Sequence, residues 1–188
     1  TSTLPTGATF VINGNGTGTF NWTPTFVLSG TYNVTFRAAD AALADTEIVV
    51  ISVNEAGNQA PVLAAIGPRS VTENVNLNFS ISATDADGTI ASLTTSTLPT
   101  GATFVNNGNG TGSFNWTPNF TQSGTYNIIF RALDGVAVDT EIVLITVIDG
   151  GNQAPVLAAI GARSVTEGVL LNFNISAADA DLTIPSLT

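Results

Sequence analysis

No cysteine, histidine, methionine or lysine occurs among the 188 residues. Without Cys there is no disulfide scaffold and no thiolate metal site. Without His as well, most general bases, most zinc sites and the usual nucleophile–base triads are excluded. The lack of Met is expected of something other than a complete primary translation product. No apolar run approaches a membrane span, and no secretory leader is visible. Charge is scarce, 10% of residues, and one-sided: 14 acids face four arginines, Arg37, Arg69, Arg131 and Arg163, for a net −10. Such a surface repels nucleic acid and anionic membranes, so neither is expected as a partner. It suits cation binding, or solubility alone.

What is present is a repeat. Gly57-Asn58-Gln59-Ala60-Pro61-Val62-Leu63-Ala64-Ala65-Ile66-Gly67 returns intact as residues 151–161, 94 positions later. Trp22 maps to Trp116, Tyr32 to Tyr126, Arg37 to Arg131 and Glu73 to Glu167. Laying residues 1–94 on 95–188 leaves 24 mismatches, so 70 of 94 positions agree. Self-similarity at a fixed period redefines the folding unit. The expected division is a C-terminal part of one repeat over 1–56, a complete repeat over 57–150 and an N-terminal part of the next over 151–188. Residue 188 is in register to be followed by a copy of residue 1. The window is therefore circularly offset: either it is cut from a longer array, which is favoured, or separate subunits complete one another end to end.

The periodicity is that of strands. Within the intact copy, strands are expected over Ala60–Ile66, kept to an edge or a start by Pro61, over Arg69–Glu73, and over Leu77–Thr84. In the last of these Leu77, Phe79, Ile81 and Ala83 alternate with polar residues. Further strands are expected over Ile90–Leu98 and Ala102–Val105, the latter closed by the hairpin signal Asn107-Gly108-Asn109-Gly110. Phe114 and Trp116 point inward from the next strand, ended by Pro118. Tyr126, Ile128, Phe130 and Ala132 form the following inner face, and Glu141–Ile148 is the last strand. About seven strands with turn signals every 8–12 residues predict an all-β antiparallel sandwich. Tyr126, after Ser123-Gly124-Thr125, stands where such a sandwich places a tyrosine corner, or is simply a core tyrosine.

The segments Leu98-Pro99-Thr100-Gly101-Ala102-Thr103-Phe104, Gly110-Thr111-Gly112-Ser113-Phe114-Asn115-Trp116-Thr117-Pro118, Ser123-Gly124-Thr125-Tyr126-Asn127-Ile128 and Arg131-Ala132-Leu133-Asp134-Gly135 resemble the immunoglobulin-like and dystroglycan-type cadherin-like repeats of bacterial surface proteins. Asn152-Gln153-Ala154-Pro155 is similar to the junction between cadherin domains. The resemblance covers the whole period and implies tandem immunoglobulin-like or cadherin-like antiparallel β-sandwiches. It also implies junctional Ca²⁺. Asp85-Ala86-Asp87 and Asp179-Ala180-Asp181 resemble the paired aspartate ligands, Asp134 and Asp40 the later strand-end aspartate, and Glu73 and Glu167 the early glutamate. Glu55 and Asp149 sit just before the linker. Ca²⁺ takes six to eight oxygens, which carboxylates at i and i+2 beside a loop can help supply. The linker departs from the cadherin pattern, offering Gly150-Gly151-Asn152-Gln153 where acids stand. One ion or none is therefore expected rather than a full cluster.

Ile142-Val143-Leu144-Ile145 is apolar on both faces, and Ile129 and Leu133 lie opposite the Tyr126 face. Ile129, Leu133, Ile142 and Leu144 then make an outer patch that packs on a neighbouring domain or merely tops a greasy sandwich. Asn-x-Ser/Thr sequons at Asn15, Asn21, Asn33, Asn78, Asn109, Asn115, Asn119 and Asn174 are glycosylation candidates or chance products of a Thr- and Asn-rich chain. By the alternation, Asn33, Asn78 and Asn174 take outward strand positions. Asp85 and Asp87 are too close in sequence to serve as a carboxylate pair across a glycosidic bond. Trp22 and Trp116 fit core packing better than sugar stacking. The sequence thus reads as a non-enzymatic structural unit of an extracellular filament or surface rod. Its partners are copies of itself, head to tail, in one long chain or by strand complementation between subunits, with covalent glycans a further expectation. The alternative is the stalk of a calcium-dependent adhesin whose head lies elsewhere.

Overall fold

The computed structural model describes residues 1–89 and 91–188, and among these fourteen strands and no helix occur. They are β1 (Thr9–Ile12), β2 (Gly18–Asn21), β3 (Gly30–Ala39) and β4 (Ala44–Val53); β5 (Val62–Leu63), β6 (Arg69–Thr72), β7 (Leu77–Thr84), β8 (Ser92–Thr95), β9 (Thr103–Asn106), β10 (Thr111–Trp116), β11 (Gly124–Leu133) and β12 (Val138–Ile148); then β13 (Val156–Leu157) and β14 (Ala177–Ala178).

Strands β5 to β12 form two four-stranded sheets, ordered β5-β7-β10-β9 and β6-β12-β11-β8. All pairs are antiparallel except β6, which runs parallel to β12 from Ile145↔Arg69 to Ile148↔Thr72. Alternation sets which side chains meet between the sheets. Phe114 and Trp116 from β10, Ile81 from β7, Ile128, Phe130 and Ala132 from β11, and Val143, Ile145 and Val147 from β12 are buried in one cluster. Phe79 stacks on Phe114 at 4.9 Å between centroids, and Trp116 meets Tyr126 edge-on at 4.9 Å. Each such side chain contributes about 1.5–3 kcal/mol by leaving water. The Tyr126 hydroxyl donates to the Gln122 carbonyl at 2.9 Å, so the tyrosine corner is present. The Asn-Gly hairpin also forms: Gly108 and Gly110 take φ of 75° and 76°, which a Cβ would disfavour.

Four expectations change, the first being the last strand, expected over Glu141–Ile148, which begins at Val138. The expected strand Ala60–Ile66 shrinks to Val62–Leu63. Pro61 brings no N–H, and the N–H groups of Leu63, Ile66 and Gly67 donate to side-chain carboxylates instead of a strand. The expected strand Ile90–Leu98 is observed over Ser92–Thr95, with Ile90 outside the described residues. Asn174 is exposed but not in a strand, because β14 covers only Ala177–Ala178. The equivalent stretch before residue 84 becomes a strand by pairing with β10, and residues 163–176 have no such neighbour.

Residues 1–56 keep the local structure of residues 95–150 without its opposing half. β1 pairs with β2, and β3 with β4, in the registers of β9–β10 and β11–β12. Some of their inner side chains are uncovered, Val49 being 39% exposed where Val143 is 0%, whereas Val34, the counterpart of Ile128, is itself 0% exposed. Residues 151–188 show the converse, with Ile175 at 47% where Ile81 is at 2%.

Candidate functional site

The polar chemistry concentrates at the two poles of the β5–β12 sandwich. β11 starts at Gly124 beside one pole and ends at Leu133 beside the other, so the strands run between them. At the entry pole the chain arrives through Gly57, Asn58 and Gln59. The Gln59 N–H donates to Asp87 Oδ2 at 2.9 Å, and Asn58 Nδ2 donates to Asp134 Oδ2 at 2.8 Å. Asp134 Oδ1 also caps its own turn, accepting from Val136 N at 2.7 Å and Ala137 N at 2.6 Å. Asp87 Oδ1 accepts from the backbone and hydroxyl of Thr89, at 3.2 and 2.9 Å, and Asp85 Oδ1 accepts from the Asp87 N–H at 3.1 Å. Among the described residues, Asp85 Oδ2 alone is a buried side-chain polar atom without a hydrogen-bond partner.

The electrostatics follow from these bonds. The Gln59 N–H, with Asp85 and Thr89, holds the Asp87 carboxyl down to about 2. The Ala137 N–H, then Asn58 and Val136, depress Asp134. Asp85 is pushed up by desolvation, then by the adjoining Asp87 carboxyl and by repulsion from Asp134. Two carboxylates are thus committed to holding the linker and the β11–β12 turn, and the third is left uncompensated beside them.

A shallow cleft lies between this pole and residues 26–29, lined by Phe26, Ser29, Glu55, Gly57, Asn58 and Asp87 among others. Val27 approaches within 3.1 Å of where a Cβ on Gly88 would lie. At the exit pole a second cleft is lined by Phe120, Ser123, Asp149, Gly151, Asn152 and Asp181. These six are the residues 94 positions after the first six. Asp181 accepts from the Gln153 N–H, as Asp87 does from Gln59, and Asp179 Oδ1 accepts from Asp181 N at 2.8 Å. Asp149 Oδ1 accepts from Gly151 N at 2.7 Å.

The acids grouped by sequence are therefore divided. Asp85, Asp87 and Asp134 stand at the entry pole, and Glu73, Asp149, Asp179 and Asp181 at the exit pole. Glu167 is exposed farther along. Glu73 is 3% exposed, and its two oxygens accept from Gln122 N at 3.1 Å and Gly150 N at 3.0 Å, tying the last strand's exit to the β10–β11 loop. Among the described residues no three of these acids are gathered as a metal-holding group. The outer patch is present as paired side chains: Ile129 faces Ile142 across β11–β12, and Ile142 and Leu144 are 65% and 42% exposed. All eight sequon asparagines are exposed.

Two residues escaped the sequence reading. Asp139 Oδ2 accepts from Leu63 N at 2.8 Å, and the Glu141 carboxylate accepts from Ile66 N at 2.8 Å and Gly67 N at 2.7 Å. The signal was available. Both share the inward parity of Val143, Ile145 and Val147, and an acid pointing inward needs donors.

Among known proteins, the sequence model of the family described as "Putative Ig domain" matches residues 1–54 and again 60–148. Chitinase A of Pseudoalteromonas piscicida is 29% identical over 133 residues, which cover 70% of this chain and 16% of that enzyme. The match thus spans less than a fifth of that relative's length. Among solved structures, the endo-fucoidan hydrolase MfFcnA4 of glycoside hydrolase family 107 aligns over 82% of this chain and 25% of its own, with TM-score 0.45 and 19% identity. Titin domain M7 aligns over 48% of this chain and 95% of its own, with TM-score 0.37 and 14% identity. The SrpA adhesin of Streptococcus sanguinis aligns over 50% and 57%, with TM-score 0.41 and 11% identity.

Proposed function

We propose that this chain, which belongs to the Putative Ig domain family, is a structural repeat unit of an extracellular bacterial filament or surface rod built from head-to-tail β-sandwiches. The observation that carries this reading is the recurrence of the junction. The same six residue positions, 94 apart, line a cleft at both poles, and the same Asp-to-linker bond closes each. A unit that is entered at one pole, left at the other and joined alike at both is suited to serial stacking. On this reading residues 57–150 are one whole unit, and 1–56 and 151–188 are parts of its neighbours. On this reading the role is not catalytic, which is supported by the engagement of both Asp87 oxygens and of Asp85 Oδ1 with the linker, Thr89 and the Asp87 N–H. The exposed sequons suit a glycan coat on such a fibre, and the Ile129/Leu133/Ile142/Leu144 face a lateral contact. Antibody labelling of intact cells tests the reading. Label along surface threads is expected, and label confined to the cytoplasm overturns it.

A second reading, the stalk of a calcium-dependent adhesin, is favoured by one observation. Asp85 Oδ2 is sheltered, unpartnered and crowded by Asp87 and Asp134, a combination that a cation relieves. Melting with and without a chelator separates the two. A fall in the transition temperature on chelation, reversed by added Ca²⁺, supports the stalk, and an unchanged transition removes the ion from the account.

A further inference from the structure

Resting on the extracellular reading, we propose that three of the eight sequons, those at Asn15, Asn109 and Asn119, carry N-linked sugar and that the other five stay bare. The sequence pattern treats all eight alike, since each offers an Asn and a hydroxyl two residues on, and all eight asparagines are exposed. The structure separates them by whether that hydroxyl reaches the asparagine's own carboxamide.

At three sites it does. Asn109 Oδ1 accepts from Thr111 N at 3.2 Å and Thr111 Oγ1 at 2.6 Å. Asn119 Oδ1 accepts from Thr121 N at 3.0 Å and Thr121 Oγ1 at 2.8 Å. Asn15 Oδ1 accepts from Thr17 N at 3.2 Å and from the Thr17 hydroxyl. Each is the turn that an Asn side chain makes with the backbone two residues on. Two are reinforced from behind: Asn107 Nδ2 donates to Thr111 Oγ1 at 2.9 Å, and Asn13 Nδ2 to Thr17 Oγ1 at 3.1 Å. A hydroxyl that accepts in this way is a stronger donor.

Strand sequons lack this arrangement. Asn21, Asn33, Asn78 and Asn115 lie in β2, β3, β7 and β10. Along a strand, residues i and i+2 stand about 6.6 Å apart, twice the rise per residue, which is too far for the hydroxyl to reach. At Asn115 a third residue intervenes: Asn76 Nδ2 donates to Asn115 Oδ1 at 3.2 Å and to Thr117 Oγ1 at 3.0 Å. Asn78 faces Asn115 across β7 and β10, so sugar on either would crowd the other. Asn174 makes no such bond with Ser176, and its equivalent in the β5–β12 sandwich, Ser80, lies in β7.

The chemistry favours the turn. Transfer forms a bond from Nδ2 to C1 of a sugar and breaks the C1–O bond of a glycosyl phosphate donor. The phosphate leaves with the electron pair, and one Nδ2 proton passes to a base of the transferring enzyme. An amide nitrogen is a poor nucleophile because its lone pair is shared with the carbonyl. As Nδ2 gives up its proton, charge builds on Oδ1, where the two donors of the turn are already aimed. The turns are closed between residues two to four apart, so they form without the rest of the sandwich and serve whether transfer precedes or follows folding. Placement follows as well. Asn109 adjoins Gly110, whose carbonyl accepts from Ala83 N at 2.8 Å near the entry pole, and Asn119 opens the exit-pole loop that Glu73 holds through Gln122 N. Sugar at these sites flanks the junctions and leaves the broad sheet faces clear, the Ile129/Ile142 face among them.

The test is site-resolved mass spectrometry of the native protein taken from the cells that make it, cut by protease so that each sequon lies on its own peptide. Sugar is expected on the peptides of Asn15, Asn109 and Asn119. Occupancy at the other five is expected to be about tenfold lower, as the loss of one hydrogen bond from a barrier implies. A variant then tests the cause. Asn107→Ala keeps the sequon Asn109-Gly110-Thr111 and removes the group behind the Thr111 hydroxyl. It is expected to lower occupancy at Asn109 several-fold and to leave Asn119 unchanged, with the melting of the β5–β12 sandwich reporting that the variant is folded. Equal occupancy at turn and strand sequons, sugar on the strand sequons alone, or undiminished sugar at Asn109 in Asn107→Ala each overturns the proposal. So does a native chain with no sugar on any asparagine. That last result leaves the rod reading standing, because the surface labelling of intact cells tests it separately.

Discussion

Carboxylates that accept backbone N–H groups carry much of this fold's polar stability. Glu141 holds two donors of the β5 segment, and its replacement by Ala leaves Ile66 N and Gly67 N without partners. A loss of about 2–4 kcal/mol is expected for Glu141→Ala, read from chemical denaturation, since each orphaned donor costs about 1–3 kcal/mol. The entry pole responds to acid. Asp87, at about 2, and Asp134, also depressed, both titrate below the ordinary 3.8 in the folded chain. Stability from these groups is fully present above pH 3.8 and is lost as pH falls towards about 2. Asp85 acts oppositely: its raised pKa makes its ionisation unfavourable to the fold as pH climbs through that value. The transition temperature should therefore fall steeply below pH 3.8, and the fall should be smaller in Asp87→Asn. An equally steep fall in that variant assigns the acid response to other groups.

The elements divide into those that were legible and those that were not. Leu77–Thr84 alternates cleanly, and its strand has the expected ends. The Asn107–Gly110 turn and the Tyr126 corner also follow from local residue chemistry. Ala60–Ile66 reads as a strand on composition, yet only two of its residues pair. Its donors are claimed by Asp139 and Glu141, 74 to 76 positions away. Contacts at that separation leave no local pattern, and only the inward parity of the two acids hints at them. The division of the acids between poles was hidden for the same reason: the i, i+2 spacing at Asp85 and Asp87 is visible, but which pole Glu73 reaches depends on how the sheets stack. The same strand in two settings gives a prediction at this scale. Ile81→Ala removes a side chain 2% exposed and should cost about 2–5 kcal/mol. Ile175→Ala, at a position 47% exposed, should change the melting of a dilute chain by less than about 0.5 kcal/mol. Equal costs at low concentration would mean that residues 151–188 are already packed.

On the head-to-tail reading, the whole molecule is a series of units whose strands run from pole to pole and whose two poles bear one junction. The ten residues of β11 span roughly 33 Å at about 3.3 Å per residue. Adding the turns and linker, each 94-residue period should advance the assembly by roughly 40 Å, on the same strand rise. The measurement that meets this claim most directly is the axial repeat of the assembled material in electron micrographs. A thread of uniform width with a repeat near 40 Å, or a small multiple of it where successive units turn about the axis, is the predicted result. Compact particles of fixed size, or aggregates without an axial repeat, would contradict it.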